Sequence, residues 1–134
     1  MTPEAFEQLV AEEFPRAIPE KFRHLIKNVA FLIENEPSTE LRTLEGLKRG
    51  ETLLGHYHGV PYPLRGDWYG MGATMPDMIT LFQIPIEAEG RYDPEHIRQV
   101  VRETIWHEVA HHFGMDEEVV RRRENTRDDS VSTS

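Results

Sequence analysis

The chain has 134 residues, with 15 Lys and Arg against 24 Asp and Glu, a formal charge of −9, seven His and no Cys. That length suits a single domain with one modest core, and the lack of thiols excludes disulfides, thiolate zinc sites and cysteine nucleophiles. The acidic balance sets aside nucleic acid and anionic membrane surfaces as unaided partners, because both select basic patches.

Met1-Thr2-Pro3-Glu4 lacks the basic start and apolar run of a signal peptide. No stretch approaches the roughly 18 apolar residues of a membrane span, so a cytoplasmic protein is the expectation. Thr2 is placed to cap a first helix over 3–14, with Ala5, Phe6, Leu9, Val10 and Phe14 on one stripe. Pro19 opens a second short helix to about Ile26. The run Val29-Ala30-Phe31-Leu32-Ile33 is short, apolar and bounded by polar residues, which predicts a buried strand. Glu34 to Ser38 reads as a loop, and Leu41 to Lys48 as a helical turn.

Thr52 to His58 is a second strand, closed by Gly59 and Pro61. His56 and His58 alternate across Tyr57 and share one face. They either line a cleft, form a second metal pair, or simply occupy half-exposed strand positions. Three Gly and two Pro between Pro63 and Asp77 predict a loop. Met78 to Ile84 is the third strand. Pro85 cannot donate to a ladder, which puts this strand at a sheet edge open to an extended peptide, unless the proline merely ends it. Tyr57, Tyr62, Trp68 and Tyr69 are all candidates to line a cleft or stabilise an oxyanion, and nothing selects among them.

Asp93-Pro94-Glu95 is a helix start: an N-cap acceptor, Pro at the first helical position and an acid at the positive end of the dipole. Gly114 stands where a glycine beyond the last turn would end the helix, so the prediction is a helix over 94–113. Ile97, Val100, Val101 and Thr104 make its apolar face. Its second half is apolar on most sides through Ile105, Trp106, Val109, Ala110 and Phe113, which predicts burial there.

That helix carries His107-Glu108-Val109-Ala110-His111-His112-Phe113-Gly114-Met115-Asp116-Glu117. Residues i and i+4 project from one helical face, so His107 and His111 can hold one Zn²⁺ together. Glu108 lies about 100° round from His107 and reaches a metal-bound water without ligating the metal. In this composition the five-residue HExxH core arises by chance about one time in twenty; adding the glycine and the late acid lowers that to roughly one in two thousand. The structural alternative makes His107 and His111 core histidines and Glu108 half of a buried ion pair.

Catalytic zinc takes three protein ligands and keeps a fourth position for water. Glu117 occupies the place of the last His in the HExxHxxGxxH pattern and is the first choice for third ligand, ahead of Asp116 and Glu118. The same acids suit the start of a short final helix, 116 to about 124. His112 points about 100° from His111 and suits packing better than ligation.

The segment from His107 to Glu117, with Leu54-Gly55-His56-Tyr57-His58-Gly59-Val60-Pro61 and the stretch from Met75 to Ile86, resembles the small bacterial zincin-like metallopeptidases. The similarity covers nearly the whole chain. It implies an α+β, minimal zincin-like fold, in which a short mixed sheet packs against N-terminal helices and a long HExxH helix. The family usually has Asp at the third-ligand position, where this chain has Glu117. The domain is expected over 1–125, with a polar, disordered tail over 126–134. The functional expectation is a zinc peptidase acting on peptide or protein substrates, with Glu108 as general base and zinc on His107, His111 and Glu117. The alternative is a zinc-containing peptide-binding module without catalysis; a third possibility is an acidic interaction domain without metal.

Overall fold

The computed structural model describes residues 1–25, 28–59 and 76–113. Helix α1 (Pro3–Ala17) starts as the sequence predicts: Thr2 is extended, its Oγ1 accepts the Ala5 N–H at 3.0 Å, and Pro3 occupies the first turn. The helix continues to Ala17 instead of ending at residue 14, because Arg23 satisfies its last carbonyls. Arg23 Nη2 donates to the Pro15 carbonyl at 3.0 Å and Nε to that of Ile18 at 3.2 Å. Arg23 belongs to a 3-10 turn (Glu20–Leu25), tighter than the short helix the sequence predicts.

Three strands follow: β1 (Val29–Glu34), β2 (Gly55–His58) and β3 (Asp77–Phe82). They form a mixed sheet in the order β1-β3-β2. β3 runs parallel to β1, with Ile79 opposite Phe31, and antiparallel to β2, with Ile79 opposite Tyr57. Helix α2 (Thr39–Leu44) lies between β1 and β2, capped by Ser38 Oγ, which accepts the Leu41 N–H at 3.1 Å. That cap starts the helix earlier than the predicted turn over 41–48. After β3 come α3 (Gln83–Glu89) and the long α4 (Pro94–His112).

Two strand expectations are corrected. β3 is the central strand, not an edge. Pro85 lies in the first turn of α3, where a missing N–H has no intrahelical partner to lose. β1, expected to be buried, is an edge among the described residues and only half-buried, with Leu32 46% exposed. Among the described residues, the edge strand that adjoins α4 is therefore β2.

The core lies between the helices and one face of the sheet. Phe6, Leu9 and Val10 of α1 meet Ile97, Val101, Ile105 and Val109 of α4, with Ile79 and Leu81 of β3 beneath them. The four α4 residues recur every fourth position and make one continuous stripe. Trp106 is fully buried against Phe22, with ring centroids 5.3 Å apart.

A charged clamp joins α1 to α4. The fully buried Glu13 accepts hydrogen bonds from Arg102 Nη1 at 2.6 Å and Arg98 Nη1 at 2.7 Å. Burial opposes ionisation of Glu13, but the two arginines outweigh it and hold its carboxyl below the ordinary glutamate value. The described residues thus make an α+β fold in which α4 is fixed on one side by α1 and on the other by β2. No helix among them is long and apolar enough to cross a membrane.

Candidate active site

Helix α4 is nearly the helix the sequence predicts. Asp93 Oδ2 accepts the His96 N–H at 3.1 Å, Pro94 takes the first turn, and the Phe113 N–H closes the end on the Val109 carbonyl at 3.0 Å. The stripe from Ile97 to Val109 faces the core, which turns positions 107 and 111 outward. The His107 and His111 rings lie together on that side, with centroids 4.2 Å apart and planes inclined by 35°.

Both histidines are exposed, and Phe113 is 36% exposed. Ile105, Trp106, Val109 and Ala110 are buried as expected, but the burial does not extend to Phe113 or to the two histidines. Surface imidazoles are satisfied by water, so the convergence of the rings, rather than any burial, is what points to a metal.

Glu108 is half-buried beside the first residue of β2. Gly55 makes this possible: a Cβ there would stand 2.7 Å from Thr104 Cγ2, 3.2 Å from the Thr80 carbonyl oxygen and 3.8 Å from Glu108 Cγ. Without that carbon, α4 rests directly on the strand backbone. The result is a cleft of about 400 Å³ between residues 52–55 and α4, with His107 and Glu108 in its wall. Burial pushes the Glu108 carboxyl above its ordinary value, the His107 charge partly offsets this, and the carboxylate of Glu45 adds to it. A carboxylate so raised is a better proton acceptor near neutral pH.

Beyond the pair of histidines, His112 is anchored to the sheet. Its ring stacks on Tyr57 with centroids 3.9 Å apart and planes 20° from parallel. The Tyr57 hydroxyl donates to Asp77 Oδ2 at 2.6 Å, and His112 Nε2 lies 3.8 Å from that same oxygen. Gly59 passes against the imidazole, where a Cβ would come within 2.7 Å of Cε1. His112 is a packing residue, as its helical direction predicts. Tyr57, one of four aromatic candidates for the cleft, has its hydroxyl committed to Asp77; Tyr62, Trp68 and Tyr69 lie outside the described residues.

Gly55 and Tyr57 face α4, so His56 and His58 point to the opposite side of the sheet. His56 is half-buried, with Nδ1 3.8 Å from Glu45 Oε1, and His58 is exposed. They are strand positions and do not line the cleft. Asp77 and Glu45 are the neighbours that sequence reasoning missed. No local pattern marks either, since each reaches the site only through the pairing of β2 with β3 or the loop after α2.

Gly114 and the acids Asp116, Glu117 and Glu118 lie outside the described residues, as do the short final helix over 116–124 and the tail over 126–134. Among the described residues, no three His, Asp or Glu side chains gather into a metal-binding group. The pair that does converge fits a zinc ion chemically: two exposed imidazoles, one helical turn apart, near the helix C-terminus where the dipole favours a cation.

No curated protein matches the chain. A family model described as zincin-like metallopeptidase matches residues 26–127, a span that holds β1, β2, β3 and the whole of α4. The match covers well over half of the chain, and with the paired histidines and the mixed sheet it leads to one conclusion: this protein belongs to the zincin-like metallopeptidase family.

Proposed function

We propose that this protein is a zinc-dependent peptidase that hydrolyses peptide bonds, with His107, His111 and Glu117 as the zinc ligands and Glu108 as the general base. The observation that carries this reading is the approach of the His107 and His111 rings to 4.2 Å on the side of α4 next to a half-buried Glu108. When bound, zinc supplies a water acidified to a pKa of about 7 and a Lewis acid for the substrate carbonyl.

The protein's own residues then have separate tasks. Glu108 accepts a proton from the attacking water on its carboxylate and delivers it to the leaving amine nitrogen. Burial keeps that carboxylate poised for the exchange, and Gly55 lets it stand against β2. β2, at an edge of the sheet among the described residues and packed on α4, can receive an extended substrate backbone as an added strand. Tyr57, Asp77 and His112 hold the end of α4 in place.

The test is zinc analysis combined with turnover. Glu108→Gln is expected to keep its zinc and lose about 10²–10⁴-fold in kcat, the range a positioned general base supplies. His111→Ala is expected to lose both metal and activity. Full activity in Glu108→Gln, or unchanged zinc content in His111→Ala, would overturn the assignment. The position of β2 at an edge among the described residues also suits a zinc-containing module that binds peptides without cleaving them. That alternative is distinguished by peptide binding with no cleavage in the zinc-loaded parent protein.

A further inference from the structure

The cleft beside Glu108 extends away from the paired histidines, and its lining is uneven. Leu53, Leu54 and Val100 supply apolar walls, Gly55 and Thr104 buried surface, and Glu89 and Glu103 two carboxylates beyond Glu108. Among the described residues, no Lys or Arg lines it. The nearest arginines on α4 are already engaged on the other side of the helix, Arg98 with Glu12 and Glu13 and Arg102 with Glu13. Glu103 accepts one hydrogen bond, from Gln99 Nε2 to Oε1 at 3.0 Å; that bond orients the carboxylate and leaves Oε2 for another donor.

Apolar walls that lead to acid, with no Lys or Arg beside it among the described residues, suit a ligand with a matching sequence of parts: an aliphatic stem ending in a cation. At about 400 Å³ the cleft lies within the range of about 300–1,000 Å³ found for ligand sites. It also opens on the residues assigned to chemistry, so whatever fills it is held next to the reacting bond.

We propose that this cleft is a substrate-specificity pocket for a lysine or arginine side chain, with Glu103 and Glu89 as the residues that select it. The inference rests on the peptidase reading for the meaning of "substrate", but not for the binding itself. A bare ammonium group has no stem to cover Leu53, Leu54 and Val100. That separates a basic side chain from a peptide amino terminus, which offers the same charge.

The experiment titrates the intact protein with N-acetyl-lysine N-methylamide and N-acetyl-norleucine N-methylamide, following the methyl signals of Leu53, Leu54 and Val100 by NMR. The lysine probe is expected to bind about fivefold more tightly, the contribution of a half-exposed ion pair, and to lose that advantage as salt rises. Glu89→Gln combined with Glu103→Gln should bring the two probes to parity. A control pair on exposed positions, Glu7→Gln with Glu34→Gln, removes the same net charge and should keep the preference. Equal binding of the probes to the native protein overturns the proposal, as does a preference lost equally in both double variants. Norleucine N-methylamide, with its α-amino group free, is the third probe, and a response confined to it also overturns the proposal. Zinc-loaded protein on a peptide library supplies the second arm, with one position enriched in Lys and Arg as the expected result. If no peptide is cleaved, the hydrolase reading fails, and the binding ratio still decides the pocket.

Discussion

Tyr57 and His112 lie face to face, 3.9 Å between ring centroids, and this contact pins the last turn of α4 to the edge strand. Beneath it, the Tyr57 hydroxyl reaches Asp77, which is 5% exposed, so a buried carboxylate, a phenol and an imidazole form one unit. Since His112 follows His111 directly, holding one ring restrains the backbone that carries the other.

Removing parts of that unit separates stability from metal binding. Tyr57→Phe keeps the stack but takes one donor from buried Asp77, and is expected to cost about 1–3 kcal/mol in denaturant unfolding. Tyr57→Leu removes the stack as well and should further weaken zinc binding. Equal zinc affinity in the two variants would show that anchoring His112 does nothing for His111.

The environment of Glu108 makes a signed prediction for metal-free protein. Burial first, and then Glu45, raise its carboxyl above 4.5, while His107 opposes them. Carboxyl titration by NMR should therefore place Glu108 above 4.5. Glu45→Gln should move it down, and His107→Ala should move it up. Adding zinc, a nearby positive charge, should lower it further. A fall on His107→Ala would show that the balance of charges at the site is other than described.

Glu117 is separable from its neighbours by substitution. Glu117→Ala is expected to lower zinc affinity by at least about tenfold, while Asp116→Ala and Glu118→Ala leave it within about twofold, because removing a first ligand costs far more than removing a nearby charge. Glu117→Asp shortens the side chain to the one usual in the family that the chain resembles, and zinc retention there would show that the backbone can close the difference.

What the sequence discloses about this molecule is local, and what it conceals comes from distant pairing. Asp93-Pro94-Glu95 marks the start of α4, and the i, i+4 spacing alone brings His107 near His111. Thr2 marks α1 equally well. Pro85 misleads because a proline fits the first turn of a helix as readily as a strand edge, and only the neighbours of β3 decide between them. An apolar run such as Val29 to Ile33 likewise does not say whether one or two strands flank it. The outward position of His107 and His111 depends on which side of α4 meets α1 and β3. The Tyr57–Asp77 hydrogen bond joins residues 20 apart, and the Glu13 clamp joins residues 85 and 89 apart, so no short window contains either.

Glu13 gives the fold an acid-sensitive joint. Its carboxyl is depressed in the folded protein, so its contribution to stability is complete above the ordinary value of 4.5 and is lost as pH falls through the lower folded value. Denaturant midpoints should fall below pH 4.5 more steeply in the native protein than in Glu13→Gln. At neutral pH, Glu13→Gln should itself cost about 1–3 kcal/mol through its charged hydrogen bonds.

Gly55→Ala tests the contact between helix and strand. The added methyl group meets Thr104 Cγ2 at 2.7 Å and a β3 carbonyl at 3.2 Å, so α4 must shift or the strand must bend. A cost of about 1–3 kcal/mol is expected from overpacking, with a loss of turnover larger than the loss of zinc affinity. If activity and stability were both unchanged, the close seat of Glu108 against β2 would have no functional weight.

The family match begins at residue 26, whereas α1 ends at Ala17. A chain trimmed to the matched span would keep every candidate ligand yet lose Phe6, Leu9 and Val10 from the surface of α4, and would strand Arg98 and Arg102 without the carboxylate between them. Such a fragment would present a greasy, doubly cationic helix side to solvent and is expected to aggregate or open. The first seventeen residues, which precede the matched span, are in this sense a built-in cover for α4.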